Sequence, residues 1–197
     1  MTFILRRLNA MKRRRLFTDL CGGIVDISNE TLVTSSIKQD IQYGQKLCSY
    51  YSIFGNTMEA IARNSGAEVV ENMGGEVIFF FPKTSDTDKT PFKDVLKCGL
   101  AMQAAHDDMN QKYYEEGLPP INYRISADYG KHQVAILNIC VKLYRIAPPN
   151  RMVIGENLYY MISDSFECDY HFTKIHEYHL DKNAENPYSV YLISRNG

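Results

Sequence analysis

The chain has 197 residues, with 22 Lys and Arg against 23 Asp and Glu and a formal charge of -1. That length holds one ordinary domain with a complete core, and 45% hydrophobic with 23% charged residues is globular composition. No run approaches the roughly 18 apolar residues of a membrane span, and near-neutral charge argues against wholesale nucleic-acid binding. Six of the first fifteen residues are nonetheless basic: Arg6, Arg7, Lys12, Arg13, Arg14 and Arg15. A charge run is usually a solvated face; its other uses here are contact with a membrane surface or an upstream sensor, with no sign of specific nucleic-acid recognition. The apolar stretch 2–5 is too short for a secretory signal. Five cysteines, odd in number and without CxxC spacing, predict reduced core thiols in a cytoplasmic protein rather than disulfides or zinc.

In chain order, residues 22–28 (GGIVDIS) form a short apolar run that ends in an acid, the pattern of a buried strand delivering a carboxylate at its end. Ile37, Ile41, Gly44, Cys48, Tyr51, Gly55, Met58 and Ala62 then recur at alternating spacings of four and three, one face of a long helix capped at Gly66. Residues 68–72 and 76–81 read as a hairpin around Met73-Gly74-Gly75. Thr90-Pro91 opens a second helix whose buried stripe is Phe92, Val95, Gly99, Met102, His106, Met109 and Tyr113, with His106 expected as a hydrogen-bonded core histidine. A strand at 121–130, a short helix at 138–146, a strand at 151–154, a helix at 155–162 and aromatic strands at 170–178 and 188–193 follow. His171, His176 and His179 do not share one strand face and predict no metal site. There are no internal repeats, so residues 1–21 are expected as a basic extension and 22–197 as one domain. The element order predicts an α+β, ferredoxin-like fold, a mostly antiparallel sheet with helices on one face.

From residue 22 to residue 193 the sequence resembles the class III adenylyl/guanylyl cyclase catalytic domain, with its nucleotide cyclase fold. Val25-Asp26-Ile27 followed by Thr31 resembles the first-strand metal and triphosphate motif. Residues 69–81 (VVENMGGEVIFFF) resemble the hairpin that carries a Gly-Asp pair. Residues 137–149 (LNICVKLYRIAPP) with Met152-Val153-Ile154 resemble the Val-Asn-x-Ala-Ala-Arg-Leu helix, its Ala-x-Pro turn and the next strand. The closing strand at Pro187-Tyr188-Ser189-Val190-Tyr191 fits as well.

The resemblance implies cyclisation of GTP or ATP to a cyclic nucleotide and pyrophosphate, with Mg2+ or Mn2+ as cofactor, in a homodimer. Such chemistry drives the ribose 3′-oxygen onto the α-phosphate, so cations must activate that oxygen and neutralise the triphosphate. Carried over by position, Asp26 matches the first metal aspartate and Ile27 offers its backbone carbonyl. Asn29, where the family has glycine, and Thr31 lie in the phosphate-binding turn. Asn138 matches the ribose-orienting asparagine, and Lys142 stands where the family has its transition-state arginine, keeping the charge without the planar fork. Glu71 falls at the base-reading position, where a carboxylate accepts from guanine and favours GTP.

Two departures set the expected activity. Gly75 occupies the second metal aspartate's place, and Glu76 beside it is expected to point to the opposite face. Between Gly130 and Asn138 there is too little room for the strand and loop that carry a second base-reading residue. Either that hairpin is deleted or a loop is missing from the segment, and the matching flanks favour the missing loop. The resulting expectation is a weakly active or inactive cyclase-like signalling domain. The alternatives are a non-catalytic dimerisation or nucleotide-sensing module and a diguanylate cyclase-like domain; Gly74-Gly75-Glu76 imitates the latter's signature, but Val77 and Ile78 break it.

Overall fold

The computed structural model describes residues 19–38, 40–85, 87–178 and 187–196; the basic arm, and His179 with it, lies outside the described residues. The elements are β1 (Leu20–Ile27), α1 (Glu30–Ile37), α2 (Tyr43–Asn64), β2 (Glu68–Asn72), β3 (Glu76–Phe81) and α3 (Phe92–Glu115). They continue with β4 (Tyr123–Gly130), α4 (Gln133–Ile146), β5 (Met152–Gly155), α5 (Glu156–Phe166), β6 (Tyr170–Tyr178) and β7 (Tyr188–Arg195). The strands form one seven-stranded sheet in the order β2-β3-β1-β4-β5-β7-β6. Only β4 and β5 run parallel, as the mixed, mostly antiparallel fold class requires.

The period of two along β1 divides the core. Cys21, Val25 and Ile27 face a large cluster with Phe54 and Met58 of α2, Val95 and Met102 of α3 and Leu158 of α5. Leu20 and Ile24 face the other way, against Ile78 and Phe80 of β3 and Ile136, Leu137 and Cys140 of α4. Both faces of the strand are therefore apolar, and both are covered. The expectation of helices on one face is corrected: α4 lies alone on the opposite side from α2, α3 and α5. It sits close because Gly22 has no side chain beneath it; a Cβ there would meet Phe80 at 2.6 Å and Ile136 at 2.9 Å.

The long apolar stripe is two helices. Ile37 ends α1, while Ile41 in the link is fully exposed and Gly44 and Cys48 at the start of α2 are exposed as well. Asp40 restarts the chain: its Oδ1 accepts from Gln42 N at 2.8 Å and its carbonyl from Tyr43 N at 3.1 Å, an Asx-type turn that sequence periodicity runs straight through. The α3 stripe is buried as predicted, and His106 Nε2 lies 3.1 Å from the Ile121 carbonyl, a partly buried structural histidine. Cys21, Cys98 and Cys140 are buried free thiols, but Cys48 and Cys168 are exposed, so the cysteines are not uniformly core residues.

Between β4 and α4 the chain is continuous, and Lys131 and His132 alone make the connection. The missing-loop expectation is corrected: the hairpin is deleted. Farther on, the carboxylate of Asp128, wholly buried, accepts from Leu158 N in the first turn of α5 at 3.1 Å and from the Tyr188 hydroxyl. Burial pushes its carboxyl up to about 6 even with those donors present. It ties β4, α5 and β7 together.

Candidate functional site

The site is built where β1, β3 and β4 end together. Asp26 lies directly opposite Glu76 on one side and Arg124 on the other. Residues facing each other across antiparallel strands project to the same side of the sheet. Glu76 is thus brought to the face of Asp26, and the expectation that it points away is corrected: Gly75 is a turn residue, and the strand alternation starts only at Glu76. The bulge in this hairpin falls between Val69 and Glu71, which sets Glu71 opposite Ile78 on that same side.

Like charges in a half-buried setting hold their protons tightly. Burial, then Glu76 and Glu30, push the Asp26 carboxyl up to about 7, against the opposing pull of Arg124 and a backbone N–H. Burial, then Glu71 and also Glu30, raise Glu76. Glu76 Oε1 is buried with no hydrogen-bond partner, as is Arg124 Nε, while Arg124 Nη1 reaches the Arg145 carbonyl at 3.5 Å.

The hairpin turn is held from three sides. Met73 N donates to the Glu76 carbonyl at 2.9 Å, Gly74 N to Asn72 Oδ1 at 3.0 Å, and Ile27 N to the Gly75 carbonyl at 3.0 Å. Gly74 has φ +81°, a left-handed backbone that favours glycine. Asn72 Nδ2 in turn donates to Glu59 Oε2 of α2 at 2.7 Å. Tyr51 of α2 covers the turn, and its hydroxyl donates to Glu30 Oε1 at 2.7 Å.

The other sequence-derived candidates fall into two groups. Asn29 is already committed: Nδ2 donates to the Pro120 carbonyl at 3.0 Å, and Oδ1 accepts from Asn122 N at 2.9 Å. Its φ of -110° is ordinary for a non-glycine residue, so loss of the family glycine leaves the turn unstrained. Thr31 is exposed on α1. Asn138 and Lys142, one turn apart, are exposed on α4, whose Ile136, Leu137, Cys140 and Leu143 face the sheet. Both point outward from α4.

Sequence reasoning missed Glu30, Tyr51 and Arg124. Alternation on the strand 121–130 could have placed Arg124 on one face with Ser126 and Asp128; nothing local marks Glu30 or Tyr51, which meet across 21 residues.

The donors present are hard oxygens, suited to magnesium or manganese. Among the described residues, no group of three or more His, Cys, Asp or Glu side chains is arranged to hold a metal ion. Magnesium commonly takes one or two carboxylates and completes its shell with substrate phosphates and water. Asp26, with the orphaned oxygen of Glu76 directly opposite it, fits one such cation; position 75, in the turn, carries no side chain to add to them.

No family profile matches the sequence. No curated protein matches it either. Solved structures do. The guanylyl cyclase Cya2 aligns with a TM-score of 0.71 at 16% identity, covering 91% of this chain and 93% of that one. The adenylyl cyclase CyaB from P. aeruginosa gives 0.71 and 16%, over 91% and 95% of the two chains. The guanylate cyclase domain of RhGC from Catenaria anguillulae, in complex with GTP, gives 0.65 and 13%, over 92% and 98%. Over nine tenths of its length, this chain has the fold of the class III adenylyl and guanylyl cyclase catalytic domains.

Proposed function

We propose that this domain binds a nucleoside triphosphate with one divalent cation between two copies of the chain, and cyclises it weakly or not at all. The observation that carries this reading is that Asp26 faces Glu76 across the strands, while position 75 in the turn carries a glycine and no second aspartate. The GTP-bound state of a structural neighbour supports a nucleotide as ligand.

A cation at Asp26 and the Ile27 carbonyl would neutralise triphosphate charge and lower the pKa of the attacking ribose oxygen. The chain's own residues would do the rest. Asn138, facing outward, orients the ribose held by a partner copy, and Lys142 supplies a point charge to the phosphate. Glu71 accepts from guanine. The short join between β4 and α4 leaves no room for a second base-reading residue, which weakens base selection. It also supports the second reading, a non-catalytic dimerisation or sensing module.

The test is incubation with Mn2+ and GTP or ATP, scored by cyclic product, nucleotide binding and sedimentation. The expected result is nucleotide-dependent dimer with little product. Robust product formation that disappears in Asp26→Ala would overturn the weak-activity reading. Absence of binding to either nucleotide with Mn2+ present would overturn the nucleotide reading and leave a structural dimerisation role.

A further inference from the structure

We propose that Asn72 decides which face of the hairpin Glu71 presents, as a positioning residue for the base-reading carboxylate. This rests on the nucleotide reading above, in which Glu71 accepts from guanine. On β2 the two side chains part. Asn72 pairs with Val77, which packs on the α2 side of the sheet, and Glu71 pairs with Ile78, which packs on the α4 side with the face of Asp26. Glu71 reaches that side only because the ladder shifts between Val69 and Glu71. Carried on from the Val69 and Phe79 pair without the shift, the register would set Glu71 opposite Val77 and turn it to the α2 side.

Asn72 holds the shifted register from that far side. Tyr51, Gly55, Glu59 and Arg63 recur at every fourth residue, a slanting row along α2, and the hairpin is seated on it. Gly74 of the turn lies against Tyr51: a Cβ there would come within 2.9 Å of the Tyr51 Cβ. Gly55 makes room for the Asn72 amide: a Cβ there would come within 2.5 Å of Asn72 Oδ1. Glu59 accepts from Asn72 Nδ2 at 2.7 Å and is itself held by Arg63 at 2.8 Å. The Asn72 and Arg63 bonds keep the Glu59 carboxyl below its usual range, so the acceptor is charged and its bonds are the stronger kind. Asn72 Oδ1 meanwhile accepts from Gly74 N at 3.0 Å. One amide thus joins helix and turn at the position after Glu71. A glycine inside a 22-residue helix weakens that helix, and the close approach of Asn72 gives it a reason to be there.

The test is binding of GTP and of ATP, with Mn2+, to the full chain by titration calorimetry. The variants are Asn72→Ala, Gly55→Ala, the two combined, and Glu71→Gln; circular dichroism checks their folding. The wild type is expected to prefer GTP, and Glu71→Gln to lose that preference. Asn72→Ala should lower the preference at least about tenfold, the worth of one hydrogen bond to a charged group, with little change in ATP affinity. Gly55→Ala should do the same although it favours the helix, because its methyl displaces the Asn72 amide. The double variant should be no worse than Asn72→Ala alone, since removing the amide leaves room for the methyl. The Gly74 amide should exchange its hydrogen faster in both single variants. An unchanged preference in Asn72→Ala, or equal losses for GTP and ATP, would overturn the positioning role and leave the nucleotide reading standing. A wild-type chain that binds neither nucleotide, or binds both equally, would overturn the reading of Glu71 and this role with it.

Discussion

Replacing Glu76 with Gln should stabilise the cation-free protein, although Glu76 belongs to the site. A carboxyl moved from 3.8 to about 7 costs about 4 kcal/mol when ionised, and burial is the larger part of that for Asp26. The rest comes chiefly from Glu76. Directly opposed side chains put their charges about 5 Å apart, worth about 2–3 kcal/mol at an effective dielectric of roughly 20–40. Both side chains are partly exposed, and screening reduces this to about 1–2 kcal/mol. The folded chain holds the Asp26 proton more tightly than the unfolded chain does. The stability this gives is full below pH 3.8 and is lost as pH rises through about 7. Glu76→Gln should therefore gain its 1–2 kcal/mol above that range and lose the advantage toward pH 4. Urea unfolding at pH 8 and pH 4.5, in EDTA, reads this directly. Mn2+ should reverse the order at pH 8, because it compensates both charges in the wild type. A variant less stable than wild type at pH 8, or a difference independent of pH, would refute the reasoning.

Tyr188→Phe removes the hydroxyl that donates to buried Asp128 and should cost about 1–3 kcal/mol in urea unfolding at pH 8, where the unsatisfied acceptor is charged. A loss below about 0.5 kcal/mol would mean that the α5 N-terminus alone satisfies the carboxylate. Asn138→Ala and Lys142→Ala, both exposed, should leave unfolding free energy within about 0.5 kcal/mol of wild type while weakening nucleotide binding in the dimer. A clear stability loss from either would contradict their outward placement on α4.

The strands and the α3 stripe were legible because burial enforces a period the sequence displays: residues 68–72 and 76–81 match β2 and β3. The break between α1 and α2 was not, because Ile37 and Ile41 keep the helical spacing by chance while an Asp40 turn interrupts the helix. Asp26 was readable as an acid ending an apolar run. Its neighbours were not: Glu76 and Arg124 meet Asp26 through sheet register, which pairs residues 50 and 98 positions away. Glu30 and Tyr51 depend on how α1 crosses α2, a tertiary fact. The two-sided covering of the sheet was missed for a related reason. Both faces of β1 are apolar, yet its outer one is coded largely by Gly22 and Ile24, a sparse signal.

The two-residue join between β4 and α4 has a mechanical consequence. Lys131 and His132 reach at most about 7 Å, which leaves no slack for the helix to slide along its strand. With Ile136, Leu137 and Cys140 set into the sheet, α4 and the floor beneath Asp26 turn as one block. Asn138 and Asp26 of one copy are thus locked in relative position. Within this chain, sliding of α4 along β4 therefore contributes nothing to any opening or closing of the site.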